Sequence, residues 1–169
     1  MKFLKQLAIY LAIFIAISFA VDSWRSRGLP SGPIDALSVV TIDSQQHDVL
    51  ARSHEQPVLL YFWATWCPIC DWVSPSINWL ADDHEVMSIA IRSGNDARVT
   101  SYLQHHDYRF ATVNDNTGEL ARRWQINATP TVVIVADGEI VSYTTGASTP
   151  VGLWLRLKWA QLMQKLEKL

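Results

Sequence analysis

The sequence predicts an α/β domain, in which strands and helices alternate along the chain, behind an apolar N-terminal segment. Three observations support this prediction. Residues 58–64 form an unbroken apolar run, which is typical of a strand buried on both faces. Apolar residues at helical spacing follow that run. An Asp-Gly pair at residues 137–138 then separates two strand-like runs, as in a β-hairpin. A chain of 169 residues, 49% of them hydrophobic, can bury one sizeable core.

The first 24 residues are predicted to target the chain to a membrane. Residues 7–21 carry no charge, and Lys2 and Lys5 precede them. This run is short for a spanning helix, which needs about 20 apolar residues, but apolar neighbours extend it if Lys5 snorkels to the interface. We therefore expect a transmembrane helix. A cleaved signal peptide is the alternative, because Ser18-Phe19-Ala20 resembles a small-x-small cleavage site.

A linker and one folded domain are predicted to follow this segment. Residues 25–35 are polar and rich in Gly and Pro, the composition of an exposed tether. The domain is assigned to residues 36–169. Its first part, residues 37–42 and 48–50, is predicted to be a hairpin of two short strands at the edge of the sheet.

The remaining elements are predicted from apolar periodicity and turn signals. In the helix after the first buried strand, Ile69, Trp72, Val73, Ile77 and Leu80 have helical spacing, with a kink at Pro75. The predicted series is a strand at 58–64, a helix at 69–82, a strand at 86–91, a helix at 95–105, a strand at 109–113, a helix at 118–124, strands at 131–136 and 139–144, and a helix at 150–169.

The last of these helices has a broad apolar face, which we expect to pack on the sheet. Trp154 and Trp159, with the leucines beside them, also suit a helix lying on a membrane surface. Packing on the sheet is the interpretation we adopt, and the membrane surface is the alternative.

Both cysteines of the chain lie in the segment Cys67-Pro68-Ile69-Cys70, directly after the first buried strand. Pro68 suits the first position of a helix, which places Cys67 at the N-cap. Cys70 then lies one turn further on, with about 5–6 Å between Cβ atoms, close enough to form a disulfide. The positive helix N-terminus favours the thiolate of Cys67. The spacing therefore predicts a redox-active disulfide with Cys67 as nucleophile and Cys70 as resolving thiol.

Other functions of the two cysteines are less consistent with the sequence. Two cysteines are too few for a disulfide scaffold. Zinc needs four ligands, and the adjacent His105 and His106 would point in different directions on a helix. Haem attachment is disfavoured because Asp71, not histidine, follows Cys70. Two thiolates alone could hold Cu(I), so a copper carrier is the alternative function. The basic residues are scattered and the net charge is -2, so the sequence shows no basic patch of the kind that binds nucleic acid.

The segment from Phe62 to Cys70 resembles the active-site segment of thioredoxin-like proteins. Within that family it resembles the membrane-tethered periplasmic branch of TlpA/ResA-like proteins, and most of all the suppressor-for-copper-sensitivity D proteins. Pro75 resembles the proline that kinks the active-site helix, Thr129-Pro130-Thr131 the cis-proline loop, and Asp137-Gly138 the hairpin turn that follows it. The resemblance covers residues 37–169.

This resemblance implies a thioredoxin fold, a central mixed sheet flanked by helices, with an extra β-α insertion between the active-site helix and the cis-proline loop. It implies that Cys67 attacks a substrate disulfide and that Cys70 resolves the mixed disulfide. No cofactor is needed, because the electrons reside on the two sulfurs. The residues expected to bind substrate are Trp66, Pro68, Ile69, Thr129 and Pro130, and the Thr129-Pro130 bond is expected to be cis.

Location, partners and direction of electron flow follow from the same resemblance. It implies a single-pass protein of the inner membrane with its catalytic domain in the periplasm, where thiol-disulfide chemistry mainly operates. The expected partners are disulfide-containing protein substrates and a membrane thiol-electron transporter of the DsbD-like type. We expect a reductant. A disulfide-forming oxidant is the alternative, because oxidising relatives also have proline after the first cysteine.

One departure from the family concerns the base that serves the resolving thiol. Many thioredoxins keep a buried carboxylate six residues before the first cysteine, and this sequence has Tyr61 there. Val73, one turn after the second cysteine, is not acidic either. The sequence therefore does not identify a base for Cys70.

Overall fold

A six-stranded mixed sheet forms the centre of the domain. The computed structural model describes Gln6, residues 32–34 and residues 37–168. The strands are β1 (Gly32–Pro33), β2 (Ser38–Val40), β3 (Gln46–Asp48), β4 (Val58–Trp63), β5 (Glu85–Ile91), β6 (Ala111–Asp115), β7 (Thr131–Ala136) and β8 (Glu139–Thr145). The helices are α1 (Val49–Glu55), α2 (Pro68–Leu80), α3 (Asp96–His105), α4 (Glu119–Arg123) and α5 (Pro150–Glu167).

The strand order of the central sheet is β1-β8-β7-β4-β5-β6. Strands β4, β5 and β6 are parallel, whereas β7 is antiparallel to β4, and β8 and β1 continue that antiparallel side. All six residues of β4 are buried, as the apolar run predicts for a strand with neighbours on both sides and helices on both faces. The predicted hairpin at Asp137-Gly138 is confirmed as the β7–β8 connection.

Side chains alternate across β4 and divide the interior into two cores. Leu59, Tyr61 and Trp63 belong to one core, which includes residues of α2, α3 and α5. Leu60 and Phe62 belong to the other, which includes residues of α1 and α4 and of the β2 region. The domain is therefore a three-layer sandwich, and the final helix packs on the sheet through Leu153 and Leu157, as expected.

The prediction of a strand at residues 48–50 is wrong. The β3 strand ends at Asp48, and a helix begins at Val49. Asp48 is the N-cap of this helix, with its carboxylate accepting a hydrogen bond from the amide of Ala51 (3.0 Å). Distant contacts hold the helix in place, since Ser53 Oγ accepts a hydrogen bond from the amide of Gly138 (3.0 Å). The β2–β3 hairpin is also a separate two-stranded sheet, not an edge of the central one.

The edge of the central sheet is formed by β1. Gly32 and Pro33, at the end of the segment expected to be a tether, pair with Ile140 and Glu139 of β8. The amide of Ile34 also donates to the carbonyl of Gly138 (2.8 Å). The predicted transmembrane helix at residues 7–21 lies outside the described residues. None of the helices within the described residues is long and apolar enough to cross a membrane.

Candidate active site

The two cysteines lie where β4 leads into α2, and they form a disulfide. Cys67 is the N-cap of α2, and Pro68 is its first residue, as predicted. The Cα atoms of the two cysteines are 5.3 Å apart. The amide of Cys70 lies 3.3 Å from Cys67 Sγ and donates a hydrogen bond to it. After reduction this same N–H group is available to a Cys67 thiolate, which is the stabilisation that the N-cap position predicts.

The two sulfur-bearing residues differ in exposure. Cys67 is 6% exposed and Cys70 is 0% exposed. Cys67 thus has a small opening to solvent and Cys70 has none, so an external thiolate or disulfide approaches the pair from the side of Cys67. This arrangement suits the predicted division of labour between an attacking and a resolving thiol.

The structure brings Trp66 and Thr129 together, although 63 positions separate them. Both line a cleft of about 190 Å³ beside the disulfide segment, with Arg92 and Arg122 also in its wall. The Trp66 side chain is 59% exposed, and its indole N–H donates to the carbonyl of Arg92 (3.1 Å). The predicted cis bond between Thr129 and Pro130 is confirmed, and Pro130 is buried and does not line the cleft.

Pro68 and Ile69 lie outside that cleft, on the exposed first turn of α2. Ile69 is 48% exposed. Trp72, one turn further along the helix, is 84% exposed, so the predicted places of both Ile69 and Trp72 in the apolar stripe are wrong. The buried stripe consists of Cys70, Val73, Ser74, Ile77 and Leu80, together with Ser76. A stripe at 70, 73, 77 and 80 already satisfies the helical period, and this signal could have identified Trp72 as a surface residue.

We expect Trp72 to contact protein substrates, because an exposed aromatic ring five residues after Cys67 on the active-site helix offers a large apolar contact. Trp72→Ala should raise KM several-fold for a protein disulfide substrate and change kcat little. Trp79→Ala is the matched control, since Trp79 is 50% exposed two turns further along the same helix. Equal effects of the two substitutions on KM would contradict this role.

Tyr61 occupies the place where many relatives have a buried carboxylate. Its side chain is fully buried, and its hydroxyl lies 2.9 Å from Ser74 Oγ and 3.4 Å from the carbonyl oxygen of Cys70. Burial raises the pKa of Tyr61 well above its ordinary value, so the hydroxyl stays neutral at neutral pH. Tyr61 can hold the first turn of α2 by hydrogen bonds, but it does not act as a proton acceptor for Cys70.

A carboxylate does lie on this turn, at Asp71. Its side chain is exposed, and its Oδ1 accepts a hydrogen bond from the hydroxyl of Tyr102 (2.5 Å). Burial raises the pKa of Tyr102, which keeps that hydroxyl a donor. Neither the Tyr61–Ser74 contact nor the Tyr102–Asp71 contact could be read from the sequence, because 13 and 31 positions separate the partners.

Tyr61→Phe should lower the free energy of unfolding by about 1–3 kcal/mol, because it leaves the buried Ser74 hydroxyl without its partner. Tyr61→Phe combined with Ser74→Ala should recover part of that loss, since neither partner is then left unsatisfied. Urea unfolding of Tyr61→Phe, of Ser74→Ala and of the double variant measures both effects. The pairing would be contradicted if the double variant lost more free energy of unfolding than the two single variants lose together.

No group of three or more His, Cys, Asp or Glu side chains within the described residues could hold a metal ion. His105 and His106 instead belong to an aromatic cluster, in which the rings of Tyr102 and His106 lie 4.4 Å apart and those of His106 and Tyr108 lie 5.2 Å apart. The histidine pair is thus placed by ring-to-ring contacts within this aromatic cluster.

Comparison with known proteins identifies the family. A family described as Thioredoxin-like matches residues 55–140. A thioredoxin-like protein of Haemophilus influenzae is 41% identical over 162 residues, which is 95% of this chain and 96% of that one. The chain belongs to the thioredoxin-like family. The thiol-disulfide oxidoreductase ResA of Oceanobacillus iheyensis is 26% identical over 161 residues, covering 88% of this chain and 83% of the relative.

A solved structure of another protein has the same fold. A secreted disulfide oxidoreductase of Mycobacterium tuberculosis, homologous to E. coli DsbE, superposes on 73% of this chain and 96% of its own with a TM-score of 0.63 and 24% identity. The fold is thus the thioredoxin fold. With its Cys67–Cys70 pair at the start of α2, this thioredoxin-like protein is a thiol:disulfide oxidoreductase.

Proposed function

We propose that this thioredoxin-like protein is a membrane-tethered reductant of protein disulfides, with its catalytic domain in the periplasm. The proposed location is supported by the uncharged run at residues 7–21, which a short Gly- and Pro-rich segment joins to the domain. The proposed roles of attacking and resolving thiol are supported by the difference in burial between Cys67 and Cys70.

The exchange proceeds in two steps that balance. The Cys67 thiolate attacks one sulfur of the substrate disulfide, forms a mixed disulfide and releases the other substrate sulfur as a thiolate. The Cys70 thiolate then attacks Cys67 Sγ and releases the second substrate thiolate. Two electrons leave the protein, and the Cys67–Cys70 disulfide seen in the structure is the product. A membrane thiol-electron transporter of the DsbD-like type would return two electrons to this disulfide.

The substrate class is proposed from the surface around Cys67. Trp66, Ile69 and Trp72 offer apolar area, and the cleft of Trp66 and Thr129 can receive an extended backbone. The resemblance to suppressor-for-copper-sensitivity D proteins suggests thiols oxidised in the presence of copper as physiological targets. The copper link is therefore proposed as repair of oxidised thiols by exchange.

The redox state of the pair in living cells tests the direction of electron flow. We expect Cys67 and Cys70 to be mainly reduced at steady state and to become oxidised when the candidate membrane donor is deleted. Thiol trapping with a mass tag, applied to the full chain after acid quenching, reads this state. A pair that is oxidised in normal cells, with a reduction potential near the oxidising extreme of about -120 mV, would identify a disulfide donor instead.

Resistance to extraction tests the tether. The full chain should stay with membranes after an alkaline carbonate wash, because an inserted apolar helix is not released by high pH. A mature protein that begins at Val21 and appears in the soluble fraction would contradict the tether and leave the exchange chemistry untouched.

A further inference from the structure

Helix α5 has two apolar faces, and only one of them packs against the domain. Leu153, Leu157, Ala160 and Gln164 are buried. A second row lies on the opposite side of the helix, at spacings of three and four residues that place its members on one face. This outer face consists of Val151 (65% exposed), Leu155 (55%), Trp159 (64%), Leu162 (49%), Met163 (39%) and Leu166 (55%).

The outer face continues onto the sheet. Leu155, Trp159 and Met163 line a groove of about 980 Å³ whose other wall is the β8 strand, including Val141, which is 51% exposed. Together these side chains form an exposed apolar patch, and large patches of this kind mark interaction sites.

Charge on α5 indicates what covers this area. Lys158 and Lys165 lie on the helix beside the outer face, and both are exposed. Lys158 Nζ lies 6.0 Å from the ring centroid of Trp154. Asp137, Glu139 and Glu167 line the groove together with Arg156, and Asp137 Oδ1 lies 3.6 Å from Lys168 Nζ. The charged side chains of the helix itself are basic at Arg156, Lys158 and Lys165 and acidic only at Glu167. Tryptophan and leucine with lysines at the border are typical of helices that lie in the membrane interface and contact anionic lipid. Trp159 is suited to that depth, because its indole has an apolar body and a polar N–H group.

The start of the described domain lies beside this face. Strand β1 pairs with Ile140 and Glu139 of β8, and Glu139 and Val141 line the groove. Ten residues, 22–31, connect β1 to the uncharged run at residues 7–21. Ten extended residues span at most about 36 Å. A bilayer that holds the uncharged run is therefore within reach of the outer face, and a short tether raises the effective concentration of the membrane at that face.

We propose that the outer face of α5, with Val141 of β8, lies on the surface of an anionic bilayer. The inference goes beyond the proposed function and rests on it only for the membrane that holds residues 7–21. Helix α5 begins shortly after Thr145, which pairs with Thr131 beside the cis-proline, so the active-site end of the domain lies at the N-terminal end of the outer face. The docked domain would present Cys67 at a fixed height above the lipid, within reach of a membrane donor.

Spin-label accessibility in vesicles tests the docking. The full chain with Cys67→Ser and Cys70→Ser is given one new cysteine, Leu155→Cys or Leu162→Cys, labelled and reconstituted into phosphatidylethanolamine–phosphatidylglycerol vesicles. The control is Gln104→Cys, on the exposed surface of α3. Oxygen partitions into lipid and a nickel chelate into water. We expect the ratio of oxygen to nickel accessibility to be several times higher at 155 and 162 than at 104. The difference should shrink when phosphatidylglycerol is omitted.

Three results would overturn the proposal. Equal nickel accessibility at 155, 162 and 104 would show that the face meets water. Exclusion of both reagents would show that protein covers the face, either residues 7–21 of the same chain or a second copy. Dipolar broadening that depends on protein density would identify the second copy. Carbonate extraction of the same vesicles reports separately on the tether, so failure of the tether and failure of the docking are distinguishable.

Discussion

Replacing Cys70 with serine is expected to stop turnover and to leave the protein covalently attached to its substrate through Cys67. The attack of Cys67 does not need Cys70, but release of the mixed disulfide does. Cys70 is held next to Cys67, whereas an external thiol must come from solution, so the mixed disulfide persists in this variant. Non-reducing electrophoresis of cells expressing Cys70→Ser should show substrate adducts that disappear on reduction.

Cys67→Ser is the matched control for this trap. It removes the attacking sulfur, and the serine hydroxyl can accept the N-cap hydrogen bond from the amide of Cys70 in its place, so the fold should survive. We expect neither turnover nor adducts from this variant. Adducts formed by Cys67→Ser and not by Cys70→Ser would reverse the assignment of nucleophile and resolving thiol.

The second large effect is the selectivity of alkylation in the reduced protein. At about pH 6, iodoacetamide should modify Cys67 and leave Cys70 unmodified, because helix N-terminal N–H groups stabilise a thiolate only at the N-cap position. The amide of Cys70 already points at Cys67 Sγ in the oxidised state. Mass mapping of the tryptic peptides measures the modified fraction at each cysteine.

Denatured protein is the control for that selectivity, since both cysteines should then react at the same slow rate. Preferential labelling of Cys70 in the folded protein would contradict the geometry. Equal labelling of the two would show that the first turn of α2 opens after reduction.

The elements that the sequence predicts correctly have strong local signals. The β4 strand is a continuous apolar run, the start of α2 is marked by Pro68 after Cys67, and the β7–β8 turn is marked by Asp137-Gly138. Each of these signals acts through the backbone of a few neighbouring residues, so the sequence contains the information without knowledge of the fold.

The features that sequence reasoning missed depend on contacts between distant segments. Helix α1 has seven residues, too few to be stable alone, and it depends on hydrogen bonds such as that between Ser53 and Gly138. The Tyr61–Ser74 contact and the contact of Trp66 with the carbonyl of Arg92 arise only when β4, α2 and the loop after β5 meet. The cleft lined by Trp66 and Thr129 is in this respect a product of tertiary structure.

Helix α5 shows how an apolar pattern can serve two surfaces. The sequence offered packing on the sheet and contact with a membrane as alternatives for Trp154 and Trp159. The structure shows that one side of the helix packs on the sheet and that the opposite side, with Trp159, is exposed. A helix that is apolar on opposite sides has room for both contacts, which is why periodicity alone could not choose between them.

The most direct test of the central claim is a single-turnover reaction between the pre-reduced full chain and insulin in buffer containing a metal chelator. If the Cys67–Cys70 pair transfers two electrons by thiol-disulfide exchange, each insulin disulfide that opens will be matched by one Cys67–Cys70 disulfide, detected as the loss of both cysteine thiols by mass spectrometry. Insulin disulfides that stay closed while both thiols of Cys67 and Cys70 remain free would contradict the account.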